Sequence, residues 1–240
     1  MTPQLAVRET APGLFTARTP LANWLIAVDG DAVLLIDSGY PGQIDALVES
    51  LHQVGRRPED LVAGIATHGH VDHIGGFAQL RAGLGFPVYA LAEELPALRG
   101  EIVHQAGIGA IAPSLWRPRV SRWALAAMAA GGLREVAVPD ALAAPADRPL
   151  DLPLAPVLRP VPGHTPGSAV VVLGDTGVIA SGDTAVTGHP AGPRPQRPGL
   201  VGLPEFFHHD PAAARAGREA VAAMPAEVVV PGHGPVLRRG

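Results

Sequence analysis

Apolar residues fall along this chain in two rhythms. Short unbroken apolar runs, bounded by Gly, Asp or Pro, predict strands buried on both faces. These are Trp24-Leu25-Ile26-Ala27-Val28, Ala32-Val33-Leu34-Leu35-Ile36, Leu61-Val62-Ala63-Gly64-Ile65-Ala66, Pro87-Val88-Tyr89-Ala90-Leu91, Ala169-Val170-Val171-Val172-Leu173, Val178-Ile179-Ala180 and Glu227-Val228-Val229-Val230; the mixed Leu14-Phe15-Thr16-Ala17-Arg18 precedes them. Asp29-Gly30-Asp31 and Gly174-Asp175-Thr176-Gly177 have the composition of hairpin turns.

The second rhythm is helical. Ile44, Leu47, Val48 and Leu51 recur at helix spacing over 41–54, with Pro41 in the first turn and Gly55 as the stop. Residues 74–84 and 211–224 predict two further helices, the latter opened by the N-cap Asp210 and Pro211. Strand, helix, strand, helix, strand is the order of an α/β layer protein. One plan occurs twice: a hairpin of apolar strands ending on an acid, Asp37 and then Asp183. No fixed helical period accompanies it, so the chain reads as two similar βα halves in one domain spanning 1–240.

Residues 92–133 break the pattern. Leu95, Leu98, Ile102 and Val103 predict one helix, and 116–130 another broken by Pro113 and Pro118. Residues 134–161 read as strands opening the second half, and 185–205 as a Pro/Gly-rich loop of a length usually tied to function.

Chemistry concentrates at Thr67-His68-Gly69-His70-Val71-Asp72-His73, between a predicted strand and a predicted helix. On an extended backbone His68 and His70 point to the same side and can share one ion. Asp72 and His73 would diverge on a strand, but a turn into a helix lets both swing toward a second site. Imidazole and carboxylate suit zinc, and also iron and manganese. His164 in Pro162-Gly163-His164-Thr165-Pro166-Gly167 and His233 in Pro231-Gly232-His233-Gly234 sit in rigid turns suited to aiming one ligand. Spacing by itself supports only His68 with His70.

Composition removes alternatives. The chain has no cysteine, hence no disulfide, catalytic thiol or thiolate ligand. It has no lysine either, its 18 basic residues all being arginine, so Schiff-base and lysine-base mechanisms are excluded. A net charge of −4 gives no signal for nucleic acid. No apolar stretch is long enough to span a bilayer, and Met1-Thr2-Pro3-Gln4 does not open a secretory signal, which predicts a cytoplasmic protein.

The motifs taken in order resemble the metallo-β-lactamase superfamily: Leu34-Leu35-Ile36-Asp37-Ser38-Gly39, then His68-x-His70-x-Asp72-His73, then the His164 turn, then Ser181-Gly182-Asp183-Thr184, then the His233 turn. The resemblance covers nearly the whole chain. It implies a four-layer αββα sandwich with the 92–133 insert as a lid or pocket element over the active site; an apolar dimer interface is the other use of that insert. It implies two ions, zinc first with iron or manganese as substitutes. His68, His70 and His164 would hold one, Asp72, His73 and His233 the other, with Asp183 bridging and Asp37 orienting a histidine from behind. The implied reaction is hydrolysis, with metal-activated hydroxide attacking the carbonyl of a lactone or thioester and Asp72 helping to position or deprotonate that water. Tyr40, His189, His208 and His209 are candidate substrate-binding residues. A one-iron oxidoreductase similar to the persulfide dioxygenases and a β-lactam hydrolase are the competing family activities. The implied partner is a small ester, lactone or thioester, not a nucleic acid.

Overall fold

The computed structural model describes residues 5–193 and 195–239. Met1-Thr2-Pro3-Gln4, Gly240, and Arg194 within the predicted 185–205 loop lie outside the described residues. Strands β1 (Ala6–Ala11), β2 (Leu14–Arg18), β3 (Asn23–Asp29) and β4 (Ala32–Ile36) run antiparallel in sequence order. Helix α1 (Ile44–Gln53) returns the chain to β5 (Leu61–Ile65), parallel to β4. Helix α2 (Val71–Leu84) leads to β6 (Val88–Leu91), and the insert carries α3 (Leu95–Leu98), α4 (Ile108–Ile111) and α5 (Pro118–Ala129). Strand β7 (Leu142–Ala144) completes a seven-stranded sheet. The second sheet has five strands in the order β12-β11-β10-β9-β8: β8 (Pro156–Pro160), β9 (Ala169–Leu173), β10 (Val178–Gly182), β11 (Val228–Pro231) and β12 (Leu237–Arg238), with α6 (Pro211–Ala223) joining β10 to β11.

The alternation of side chains along each strand builds the layers. Trp24, Leu35 and Val33 face outward onto Leu47, Leu51, Ile74 and Phe77 of α1 and α2. Leu25, Leu34 and Ile36 face inward against Val171, Leu173 and Val230 of the other sheet. Val170, Ile179 and Val229 pack on the α6 side with Val221. Both faces of both sheets are therefore covered, as the unbroken apolar runs require. The result is an α/β fold of four layers, αββα, with two mixed sheets.

The two halves repeat one device. An antiparallel hairpin (β3-β4, β9-β10) ends on an acid (Asp37, Asp183), a helix follows, and a parallel strand (β5, β11) delivers a histidine turn holding His68 or His233. All four strand ends point the same way, which gathers the polar residues at one edge of the sandwich.

Several local expectations change. Helix α2 begins at Val71, not Ile74: His70 is extended (φ −74, ψ 149) and stands as its N-cap, so Asp72 and His73 occupy the first helical turn. Gly75 and Gly76 let that turn press against the 38–41 loop, since a Cβ at either would strike Tyr40, Pro41, Ser38 or Leu47. Ile102 and Val103 fall outside the helix predicted from Leu95, because Gly100 takes φ +75 and ends α3. Pro118 opens α5 where no N–H is needed, instead of breaking it. Within 134–161 only β8 belongs to the second half; β7 pairs with β6 in the first sheet, and β12 follows the strand expected to be last.

The insert covers the polar edge. Val120, Trp123 and Ala127 of α5 pack on Tyr40, Val71 and Ala191, while Leu125 of α5 and Trp116 just before it are 63% and 81% exposed. No helix among the described residues is long and apolar enough to cross a membrane.

Candidate metal centre

Three groups of side chains converge from the ends of β5, β8, β10 and β11 and the first turn of α2: His68 with His70 and His164, His68 with His73 and Asp183, and Asp72 with His73 and His233. Every member is buried, and within each group one donor atom per residue lies within 4.8 Å of the others. His70 Nδ1 stands 3.1 Å from His164 Nε2. His233 Nε2 is 3.3 Å from Asp72 Oδ2 and 3.3 Å from Asp183 Oδ2. Asp183 reaches both groups, with Oδ1 3.5 Å from His73 Nε2 and Oδ2 3.6 Å from His164 Nε2. A tetrahedral ion with bonds of about 2.0–2.1 Å needs donors about 3.3–3.4 Å apart, so these spacings are those of ligands around a cation. His68 Nε2, His73 Nε2 and Asp183 Oδ1 are buried without a hydrogen-bond partner, a costly state that a cation relieves. The donor set fits two divalent ions.

Second contacts settle which nitrogen of His68, His73 and His164 is free. Asp37 ends β4 in the left-handed region (φ 58) and its Oδ2 accepts from His73 Nδ1 at 2.8 Å. The Thr67 hydroxyl donates to the same carboxylate (2.9 Å) and so accepts from His68 Nδ1 (3.1 Å). His208 Nε2 donates to Leu203 O (3.2 Å), which leaves its Nδ1 to accept from His164 Nδ1 at 3.2 Å. Each chain of contacts holds the proton on Nδ1 and presents Nε2 to the ion. Asp37 thus contacts His73 directly and reaches His68 through Thr67.

Other supporting residues carry no sequence signal. Glu94 is buried; its Oε1 accepts from Gly69 N (2.7 Å), its Oε2 from Gly167 N (2.9 Å) and the Thr165 hydroxyl (2.8 Å). One carboxylate therefore ties the His68–His70 turn to the His164 turn. Burial pushes its carboxyl up, against the pull of those three donors. Asn23 clamps the last turn, donating from Nδ2 to Pro231 O (2.9 Å) and Gly234 O (2.7 Å). A buried Asn or Glu is legible in a sequence only once the turns it joins are known to meet.

The electrostatics divide the site. Burial, reinforced by neighbouring imidazoles, holds His68 well below its ordinary value, and burial likewise holds His164 low and brings His70 to about 4. Burial also opposes charge on His73 and His233, but the carboxylates around them prevail: Asp37, Asp72 and Asp183 raise His73, and Asp183 with Asp72 brings His233 to about 10. Asp72, resisted by burial, is held far below the carboxylate range by His73 and His233. Without metal, one group is neutral imidazole and the other a network of imidazolium and carboxylate.

Of the four candidate substrate residues, two line the cavity above the ligands, which encloses about 270 Å³. Tyr40 is buried there, and burial followed by the charges of Asp72 and Asp183 keeps that phenol protonated. His189 is buried beside His233. His208 stands behind His164 and orients it, so it does not line the cavity as expected. His209 faces His104 at 5.2 Å, also outside the lining. The remaining walls come from the insert, including Ile108, Leu115, Trp123, Leu125 and Met128.

A family model for the metallo-β-lactamase superfamily matches residues 19–233. The chain belongs to this superfamily. It is 26% identical to the probable metallo-hydrolase YflN of Bacillus subtilis (strain 168) over 94% of its own length and 85% of that protein. It is 31% identical to a hydroxyacylglutathione hydrolase of Anaeromyxobacter dehalogenans (strain 2CP-C), covering 68% of this chain and 45% of that one, so it spans under half the length of that relative. The Rm3 metallo-β-lactamase superposes with a TM-score of 0.69 over 97% of this chain and 79% of that structure, at 18% identity, a likeness of fold. The chain is a metal-dependent hydrolase of the superfamily, with a buried His/Asp site consistent with two ions.

Proposed function

We propose that the chain hydrolyses a neutral ester, lactone or thioester with an apolar acyl group, using two zinc ions. The observation that carries this reading is the placement of two three-donor groups, joined by Asp183, at the floor of a cavity walled by apolar residues of the insert. Zinc in such a site supplies Lewis acidity and lowers the pKa of bound water from about 15.7 to about 7.

The chain's own residues do the rest. The insert covers the reacting carbonyl and strengthens every charge interaction beneath it. Trp123, Leu125, Ala127 and Met128 bind the acyl group. Tyr40 is a protonated donor at the boundary between cavity and ligands. Asp72 would serve as a ligand and help to position or deprotonate the attacking water. No arginine is among the described residues lining the cavity, so the carboxylate of a β-lactam would have only the ions to pair with, while a neutral acyl substrate needs no such partner. A one-iron oxidoreductase needs a single three-donor group and would leave the other idle.

The test is a panel of acyl lactones, aryl esters, acyl thioesters and β-lactams with zinc-loaded protein, before and after chelation. Cleavage of the neutral acyl substrates, lost on chelation and restored by zinc, is expected. No cleavage of any acyl compound by fully loaded protein would overturn the reading.

A further inference from the structure

His189 is the imidazole at this site that belongs to none of the three ligand groups yet lines the cavity. It sits in the loop after the bridging aspartate, where sequence gives it no fixed partner. The fold fixes it from three sides. Trp123 of the insert packs edge-on at 4.7 Å between ring centroids, Phe207 at 5.3 Å and His233 at 4.9 Å. The residue is 8% exposed. A side chain wedged between the roof of the cavity and a metal ligand has little freedom to turn.

One hydrogen bond then determines its chemistry. The backbone N–H of Ala191 donates to His189 Nδ1 at 3.1 Å. A peptide N–H can only donate, so Nδ1 must present a lone pair, and an imidazolium, protonated on both nitrogens, could not take this bond. The ring is therefore neutral with its proton on Nε2. No described residue accepts from Nε2, and that atom is not among the sealed, unpartnered ones. A ring that lines the cavity, with one edge bound to backbone and the other carrying an N–H that no described residue accepts, is a preset donor at the cavity wall.

We propose that His189 is a catalytic residue whose Nε2–H hydrogen-bonds the substrate carbonyl oxygen as that oxygen gains negative charge. This rests on the acyl-hydrolase reading. In that reaction the oxygen of water bonds to the carbonyl carbon, the carbon's bond to the leaving oxygen or sulfur breaks, and a water proton ends on the leaving group. His189 neither gains nor loses a proton: it stabilises the tetrahedral oxyanion, a donor placed in advance costing no reorganisation when charge develops. The arrangement also explains why the insert packs on this ring. Trp123 holds the donor at the same place where it closes the cavity, so the acyl group and the oxyanion donor are set by one element.

Two measurements test this, one independent of turnover. In metal-free protein labelled with ¹⁵N-histidine, long-range proton–nitrogen correlation is expected to show the His189 proton on Nε2; a proton on Nδ1 overturns the proposal. In zinc-loaded enzyme, His189→Phe keeps an aromatic ring and removes the donor. It is expected to lower kcat by about 10²–10³-fold, the loss typical of one oxyanion donor, with KM and zinc content near wild type. His189→Gln, which retains an N–H, is expected to recover part of that loss. Equal kcat in wild type and His189→Phe, or a fall in His189→Phe explained by lost zinc and matched in His189→Gln, would assign the ring a packing role only. If the wild type itself cleaved no acyl substrate, the hydrolase reading would fall and take the oxyanion role with it, while the tautomer would still be decided by the nitrogen measurement.

Discussion

Asp37 Oδ2 accepts a hydrogen bond from His73 Nδ1 at 2.8 Å, and this contact decides which face of that imidazole meets an ion. The same carboxylate reaches His68 through the Thr67 hydroxyl, so one acid at the end of β4 aims a ligand into each half of the centre. Replacing Asp37 by Asn leaves the shape and removes the charge that fixes the tautomer. Asp37→Asn is expected to weaken metal binding by about 10–100-fold, the usual effect of losing such a contact. Competition against a chromophoric chelator reads this directly; affinity equal to wild type would show that Asp37 does not orient the ligands.

Glu94 ties two ligand turns together without touching an ion. Glu94→Gln puts an amide NH₂ against backbone N–H groups that need an acceptor, leaving at least one of Gly69 N, Gly167 N or the Thr165 hydroxyl poorly matched. The expected result is selective loss of affinity at the His68–His70–His164 group, with a drop of about 1–3 kcal/mol in metal-free stability from the unmatched buried group. Stepwise zinc titration with urea melts of the metal-free chain separates the two effects.

The divided electrostatics predict an uneven proton release. His70 near 4 is already neutral at pH 7 and binds metal without giving up a proton. His233 near 10, and His73 raised with it, are protonated in the metal-free chain at pH 7 and must lose those protons to coordinate. Affinity at the Asp72–His73–His233 group is therefore expected to rise with pH from neutrality toward 10, while affinity at the other group changes little over that range. Calorimetry in buffers of different ionisation enthalpy counts the protons; pH-independent binding of both ions would contradict this assignment.

His70 serves the first group alone among the convergent sets. His70→Ala is expected to abolish hydrolysis and lower bound zinc from about two to about one per chain, since the remaining group still offers three donors. Elemental analysis of the same preparations tells zinc from iron. Unchanged zinc content in the variant would remove His70 from the ligand set.

The apolar cavity predicts a chain-length dependence. A buried methylene is worth about 0.8 kcal/mol, or about fourfold in kcat/KM, until the cavity is full. A series of acyl esters of increasing length is expected to climb at that rate and then level off. Ala124→Phe, which fills space beside Trp123 and Leu125, is expected to make it level off sooner. A flat series would place the acyl group outside the insert.

Most of the strands and the two-half plan are legible in the order of residues because their signals are local: unbroken apolar runs and Gly-Asp hairpin turns. His68 with His70 is legible from spacing, whereas Asp72, His73, His164, Asp183 and His233 join them only through the order of the family motifs. Helix starts proved less local. His70 caps α2 with its ring against His164, ninety-four positions away, and the first turn of α2 fits only because Gly75 and Gly76 admit the 38–41 loop. What tertiary structure alone decided is the set of residues that act through space: Glu94 between two turns, Asn23 on the His233 turn, Thr67 and His208 behind their ligands, and the Nε2 proton of His189. Burying a polar group is costly unless its partner is in place, and those partners come from distant segments, so no window of sequence contains the pair.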